Sequence, residues 1–171
     1  MATVRVQAAD FDVGAEFAAL TAGRSDIGGI GCFVGTVRAS PGRASPGRAS
    51  PGHASPGGPR LEALTLEHYP AMTERAIAGV AAEAERRWPL LGCTVVHRIG
   101  RMAPGENIVL VLAASAHRQA ALEATAFLID WLKTKAPFWK QESFVDGSAT
   151  WVDAREADDA AAARWGSPPA A

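Results

Sequence analysis

Only two cysteines occur in the 171 residues, Cys32 and Cys93, and they form neither a CxxC pair nor a ligand cluster with the four histidines. A disulfide framework and a structural zinc site are therefore excluded as the basis of the fold. Both cysteines read as small buried hydrophobes in strands. Long hydrophobic runs are missing too. The longest apolar stretches, such as residues 108–114, fall far short of the roughly 20 residues that a spanning helix needs. The N-terminus has no basic region followed by an apolar segment, so a cytoplasmic location is expected. Charge of one sign is also lacking: 17 basic residues stand against 18 acidic ones, for a net charge of −1. No global field draws the chain to nucleic acid or to a membrane, and anion binding must be local.

Several motifs that announce a chemistry are absent as well. There is no GxxxxGK(S/T), HExxH, GxSxG or EF-hand pattern, and Gly28, Gly29, Gly31 and Gly35 do not match GxGxxG. These glycines read as marks of a bulge or of a close approach by another backbone, a threaded peptide tail being one candidate. Neither a metal nor a cofactor is called for.

What is present begins with a repeat. Residues 39–58 read ASPGR, ASPGR, ASPGH, ASPGG, made of the residues that least support a packed core. A flexible, mildly basic loop is expected over 39–59. On either side the periodicity is regular. A strand is expected at 3–7, a helix capped by Asp12 up to about Ala22, and a glycine-rich β segment at 27–38. Further strands fall at 61–69, 93–101 and 107–114, and helices at 71–88 and 116–135, the second being the longest. A hairpin around Asp146-Gly147 and a short helix at 155–164 complete the pattern. His68 alternates with Leu64 and Leu66 and reads as a core histidine. The order predicts one α+β domain over residues 1–165, followed by a disordered tail at 166–171. Its mixed, largely antiparallel sheet is packed with helices in an α/β hammerhead-like arrangement, with a small extra β subdomain.

Two segments carry candidate chemistry. Lys133-Thr134-Lys135-Ala136-Pro137-Phe138-Trp139-Lys140-Gln141-Glu142 sets three lysines around a proline break, beside two aromatic rings and a carboxylate. That composition suits a cationic pocket and lysine chemistry. The helix dipole accounts for Lys135 by itself, whereas Lys140 lies beyond the break and needs another reason. Ser115-Ala116-His117-Arg118 stands where a strand gives way to a helix, with Ser115 as the expected N-cap. Free backbone N–H groups there, with His117 and Arg118, suit a phosphate. Arg38 ends the segment Gly35-Thr36-Val37-Arg38, directly before the repeat, a position open to either a ligand contact or plain solvation.

These segments, with Leu64-Thr65-Leu66-Glu67-His68-Tyr69-Pro70-Ala71-Met72-Thr73-Glu74, His97-Arg98-Ile99-Gly100 and Trp151-Val152-Asp153-Ala154-Arg155-Glu156, resemble the large, catalytic subunit of molybdopterin synthase. The likeness runs in order from about residue 10 to 165. It implies an enzyme whose small ubiquitin-like partner brings sulfur as a C-terminal thiocarboxylate, which the large subunit transfers twice to cyclic pyranopterin monophosphate to make a dithiolene. His117 and Lys133 fall sixteen positions apart on one expected helix, too far for one pterin monophosphate to touch both, which predicts a homodimer of this chain with one small partner per copy, a heterotetramer overall. The ending Pro168-Pro169-Ala170-Ala171 is not the carrier's Gly-Gly, so this chain is not expected to be the carrier.

Carried over by motif, the resemblance makes Lys133 and Lys140 the catalytic lysines. It puts Thr36, Val37, Arg38, His117, Arg118, Gln141 and Glu142 beside them in the substrate pocket. The repeat departs from the family's usual loop by its length. Two rival readings exist: a silent module that only docks the carrier, and an unrelated phosphate-binding domain. The intact lysines weigh against the first, and the missing phosphate loop against the second.

Overall fold

The computed structural model describes residues 2–39, 59–134, 136–152 and 162–166. The elements run β1 (Thr3–Gln7), α1 (Val13–Thr21), β2 (Gly29–Thr36), β3 (Leu61–His68), α2 (Pro70–Arg87), β4 (Leu90–Arg98), β5 (Gly100–Met102), β6 (Asn107–Ser115), α3 (Arg118–Thr134), β7 (Phe138–Phe144) and β8 (Ala149–Trp151). The expected repeat loop apart from its end residues 39 and 59, most of the helix at 155–164 and the tail beyond Gly166 lie outside the described residues.

Among the described residues two four-stranded sheets result, ordered β1-β4-β6-β2 and β5-β3-β7-β8. The first is mixed, because β1 pairs with β4 in parallel while β2 and β4 flank β6 antiparallel. The second is wholly antiparallel. An α+β fold with an added β unit is thus what the chain forms. The buried runs Cys93 to Arg98 and Val109 to Ser115 follow from the central place of β4 and β6, which are covered on both faces. On one face α2 and α3 bring Ile77, Val80, Ala84, Phe127 and Leu128 against Val95 and Val111. On the other, Phe11 meets Val96, Leu110 and Leu112, with Val13 and Leu20 of α1 packed beside them. The second sheet buries Leu61, Leu64, Leu66, Met102 and Phe144 together with Val37.

Local signals explain most boundaries. The Asp12 carboxylate accepts the Ala15 N–H at 2.7 Å and starts α1. Pro70 occupies the first turn of α2, where its missing N–H costs nothing. Gly147, at φ +84°, turns the β7–β8 hairpin while the Asp146 carboxylate accepts the Ser148 N–H at 2.9 Å.

Four expectations need correction. The strand at 93–101 is two strands, because Gly100 takes φ +82° and sends β5 into the other sheet. Only Cys93 is buried, its thiol pushed up to about 12 by desolvation. Cys32 is exposed, since β2 is an edge strand and Cys32 faces away from α3. Helix α2, at 18 residues, is one longer than α3 at 17. Ser115 is not the N-cap: it is fully buried as the last residue of β6, its hydroxyl donates to the Pro89 carbonyl at 2.9 Å and accepts the His117 N–H at 3.5 Å, and α3 begins only at Arg118. The close approach expected at the glycines is met at Gly28 and Gly31 by the chain's own backbone, and the expected bulge falls at Gly35. A Cβ on Gly28 would lie 2.0 Å from the Ala116 carbonyl oxygen, and one on Gly31 2.6 Å from that of Ala121.

Candidate active site

The helix start expected to bind an anion exists as a surface depression. Gly28, Ala116, His117, Arg118 and Gln119 line an open volume of ≈ 480 Å³. It forms because the Gly28 N–H donates to the Ser115 carbonyl at 3.0 Å, which holds the β6–α3 link against the chain just before β2. His117 and Arg118 are exposed there, beside backbone N–H groups that have no partner within the helix.

At the other end of α3 the chain reverses. Lys133 sits in the last turn and is exposed. Pro137 ends the connection, the Phe138 N–H donates to the Ala136 carbonyl at 2.8 Å, and Thr73 of α2 donates its hydroxyl to the Pro137 carbonyl at 3.3 Å. Only three residues separate α3 from β7, so the helix end and the strand start are tethered together. Lys135 lies outside the described residues.

Strand register fixes the rest. Lys140 stands opposite Leu66 and Glu142 opposite Leu64, while Gln141 pairs with Thr65 on one side and Trp151 on the other. By strand alternation Phe138, Lys140 and Glu142 share one face, and Trp139 and Gln141 the other. Lys140 and Trp139 are exposed; Gln141 and Glu142 are half-buried.

Arg38 reaches the same sheet through its neighbour. The Val37 side chain is 3% exposed and packs in one cluster with Leu64 and Leu66, the residues opposite Glu142 and Lys140. Val37 therefore contributes packing and backbone, not a side chain open to ligand. Thr36 and Arg38 on either side are exposed.

His97, which stands out in the sequence only as part of a motif, belongs to this neighbourhood. The His97 imidazole stacks on Phe138 with 4.0 Å between centroids, and its Nδ1 lies 2.9 Å from the Arg98 carbonyl. Burial pushes its proton affinity down to about 4, aided by the charge of Lys140. The imidazole is therefore neutral near pH 7, and its Nδ1–H donates to that carbonyl. Its place in β4, alternating with Val95, signals only a buried face; what it touches is set by β7.

The β3–β7 register puts Lys140 and Glu142 on one face of the second sheet and Gln141 on the other, Lys133 lies in the last turn of α3 just ahead of the three-residue connection to that strand, and Val37, next to Arg38, packs with Leu64 and Leu66. The fold does not bring His117 and Arg118 to them. His117 stands just before α3 and Lys133 lies in its last turn, sixteen positions on, roughly 24 Å at about 1.5 Å per residue.

Residues 6–135 match the family model described as MoaE protein. The chain belongs to the MoaE family. Among its MoaE relatives, the molybdopterin synthase catalytic subunit of Mesorhizobium japonicum is 54% identical over 164 residues, 95% of this chain and 92% of that protein. The protein of the same description from Escherichia coli is 47% identical over 155 residues, 91% and 92% of the two chains. The solved molybdopterin biosynthesis MoaE protein of Burkholderia ambifaria superposes with a TM-score of 0.75 at 47% identity, covering 98% of this chain and all of that one. The molybdopterin synthase of Staphylococcus aureus does so at 0.71 with 25% identity, covering 87% and 96%.

Proposed function

We propose that this MoaE-family chain is the catalytic half of a molybdopterin synthase. It takes sulfur from the C-terminal thiocarboxylate of a small ubiquitin-like partner and delivers it to cyclic pyranopterin monophosphate. The observation that carries this reading is the pair Lys133 and Lys140, set on either side of the Pro137 turn in a chain whose close relatives share that description.

The chemistry divides between the two amines. One, uncharged, serves as nucleophile or general base; the other, as an ammonium, steadies the oxyanion that develops on the thiocarboxylate carbonyl. Arg38 offers a planar fork to the cyclic phosphate. Gln141 and Glu142 orient the substrate, Thr36 and the Val37 backbone support Arg38, and Phe138, on the same face of β7, limits water around Lys140. Cytoplasmic action belongs to the same proposal and rests on the biosynthetic role of the family.

His117 and Arg118 enter through a second copy of the chain. One pterin monophosphate cannot span roughly 24 Å of helix. A twofold dimer whose α3 helices run antiparallel lays the start of one helix beside the end of the other, twice over. Each composite site then takes Arg38, Lys133 and Lys140 from one subunit and His117 and Arg118 from its partner.

The test is turnover. Purified protein, thiocarboxylated partner and cyclic pyranopterin monophosphate should yield the dithiolene product. Binding of the partner without product would favour the silent docking module, and binding of neither would return the chain to a plain anion-binding domain.

A further inference from the structure

The motif His97-Arg98-Ile99-Gly100 has one member whose work is unexplained by the reaction. Arg98 is only 6% exposed yet carries a full charge, which a protein interior tolerates only with partners. Its guanidinium donates to the Asn107 carbonyl at 3.0 Å and to the Ala8 carbonyl at 3.3 Å. It pairs with the Glu106 carboxylate at 3.4 Å and with Asp10 at 3.5 Å.

Glu106 is the hinge of this set. Its other carboxylate oxygen accepts the Ala103 N–H at 2.5 Å, which closes the 103–106 turn, and Gly105 at φ +92° allows that turn. The turn then grips Val37 by both backbone groups. The Val37 N–H donates to the Glu106 carbonyl at 2.9 Å, and the Val37 carbonyl accepts the Gly105 N–H at 2.7 Å. Here β2 has already slipped register, between Gly35 and Thr36, so regular pairing no longer fixes the strand end. The turn does so instead, one residue before Arg38.

We propose that Glu106, held by Arg98, is a positioning residue for Arg38: it fixes the Val37 backbone and so aims the Arg38 guanidinium at the phosphate of the pterin. The inference rests on the proposed function, because it matters only if Arg38 binds that phosphate. Glu106 touches no reacting atom and needs no charge of its own at the site.

The experiment is a double-mutant cycle in steady-state turnover with saturating thiocarboxylated partner and varied cyclic pyranopterin monophosphate. Glu106→Ala should raise KM about 10-fold and leave kcat within about twofold, since a ground-state phosphate contact is loosened while the lysines stay put. In an Arg38→Ala background the same change should add less than about twofold, because the guanidinium it aims is gone. Glu106→Gln keeps an oxygen for the Ala103 N–H but loses the charge facing Arg98. It should show a smaller rise in KM and serves if circular dichroism finds Glu106→Ala unfolded. Equal rises in both backgrounds, or an unchanged KM in Glu106→Ala and Glu106→Gln alongside a raised one in Arg38→Ala, overturn the positioning role and spare the assignment of Arg38. An unchanged KM in Arg38→Ala instead refutes the phosphate contact itself, and the positioning role with it.

Discussion

His97 and Phe138 lie ring on ring, 18° from parallel, and Phe138 is two residues before Lys140 on the same face of β7. Strand β4 of the first sheet is thereby joined to the strand of the second that carries a proposed catalytic lysine. The contact also fixes a charge state. A protonated imidazole there would lose its hydration and face the Lys140 ammonium, so the folded chain holds His97 neutral.

That neutrality has a consequence for stability. The His97 proton affinity drops from 6.5 to about 4 on folding, so between these values the unfolded chain binds a proton that the native one refuses. Stability from this residue is intact above pH 6.5 and is lost as pH falls toward 4. Between pH 7.5 and pH 5 the loss is about 2 kcal/mol, at about 1.4 kcal/mol per unit. Urea unfolding at the two values should show that drop in the wild type and a smaller one in His97→Gln; equal drops would contradict the account.

Lys133→Ala and Lys140→Ala should each cut dithiolene formation by at least about 100-fold, the lower end for losing a positioned acid, base or nucleophile. Partner binding and the thermal midpoint should stay near wild type, because both side chains are exposed. Lys135→Ala should be milder. A turnover assay in which Lys135 proved essential and Lys133 dispensable would reverse the assignment.

Complementation tests the shared site. Lys133→Ala and Arg118→Ala proteins, each inactive alone, should regain activity when mixed and allowed to exchange subunits, since a heterodimer has one intact site. Demonstrated exchange without recovery would put all five residues in one chain.

Two glycine substitutions should move stability in opposite directions. Gly28→Ala forces a methyl to within 2.0 Å of the Ala116 carbonyl oxygen, which overpacking places at a cost of about 1–3 kcal/mol. It should also raise KM, because the displaced link carries His117 and Arg118. Gly79, inside α2, has nothing within 4 Å of an added Cβ, so Gly79→Ala should gain about 0.5–1 kcal/mol. Differential scanning calorimetry of the two proteins reads both signs.

The elements and their kind are legible from local pattern. Period-two and period-3.6 patterns, Asp12, Pro70 and Asp146-Gly147 act within a few residues, and local backbone preference is enough to place β1, α1, α2 and the β7–β8 hairpin. Motif resemblance likewise named the lysines before any contact was known. Other features depend on partners elsewhere in the chain and follow from the packed fold. Gly100 reads as one more strand residue until its positive φ hands β5 to the second sheet. Cys32 reads as core until β2 turns out to be an edge. His97 and Arg98 are adjacent in sequence, yet strand alternation sends one to Phe138 and the other to Glu106. Residues 41 and 8 positions away set those roles, and no local pattern encodes a contact whose two halves are brought together only when both sheets have formed.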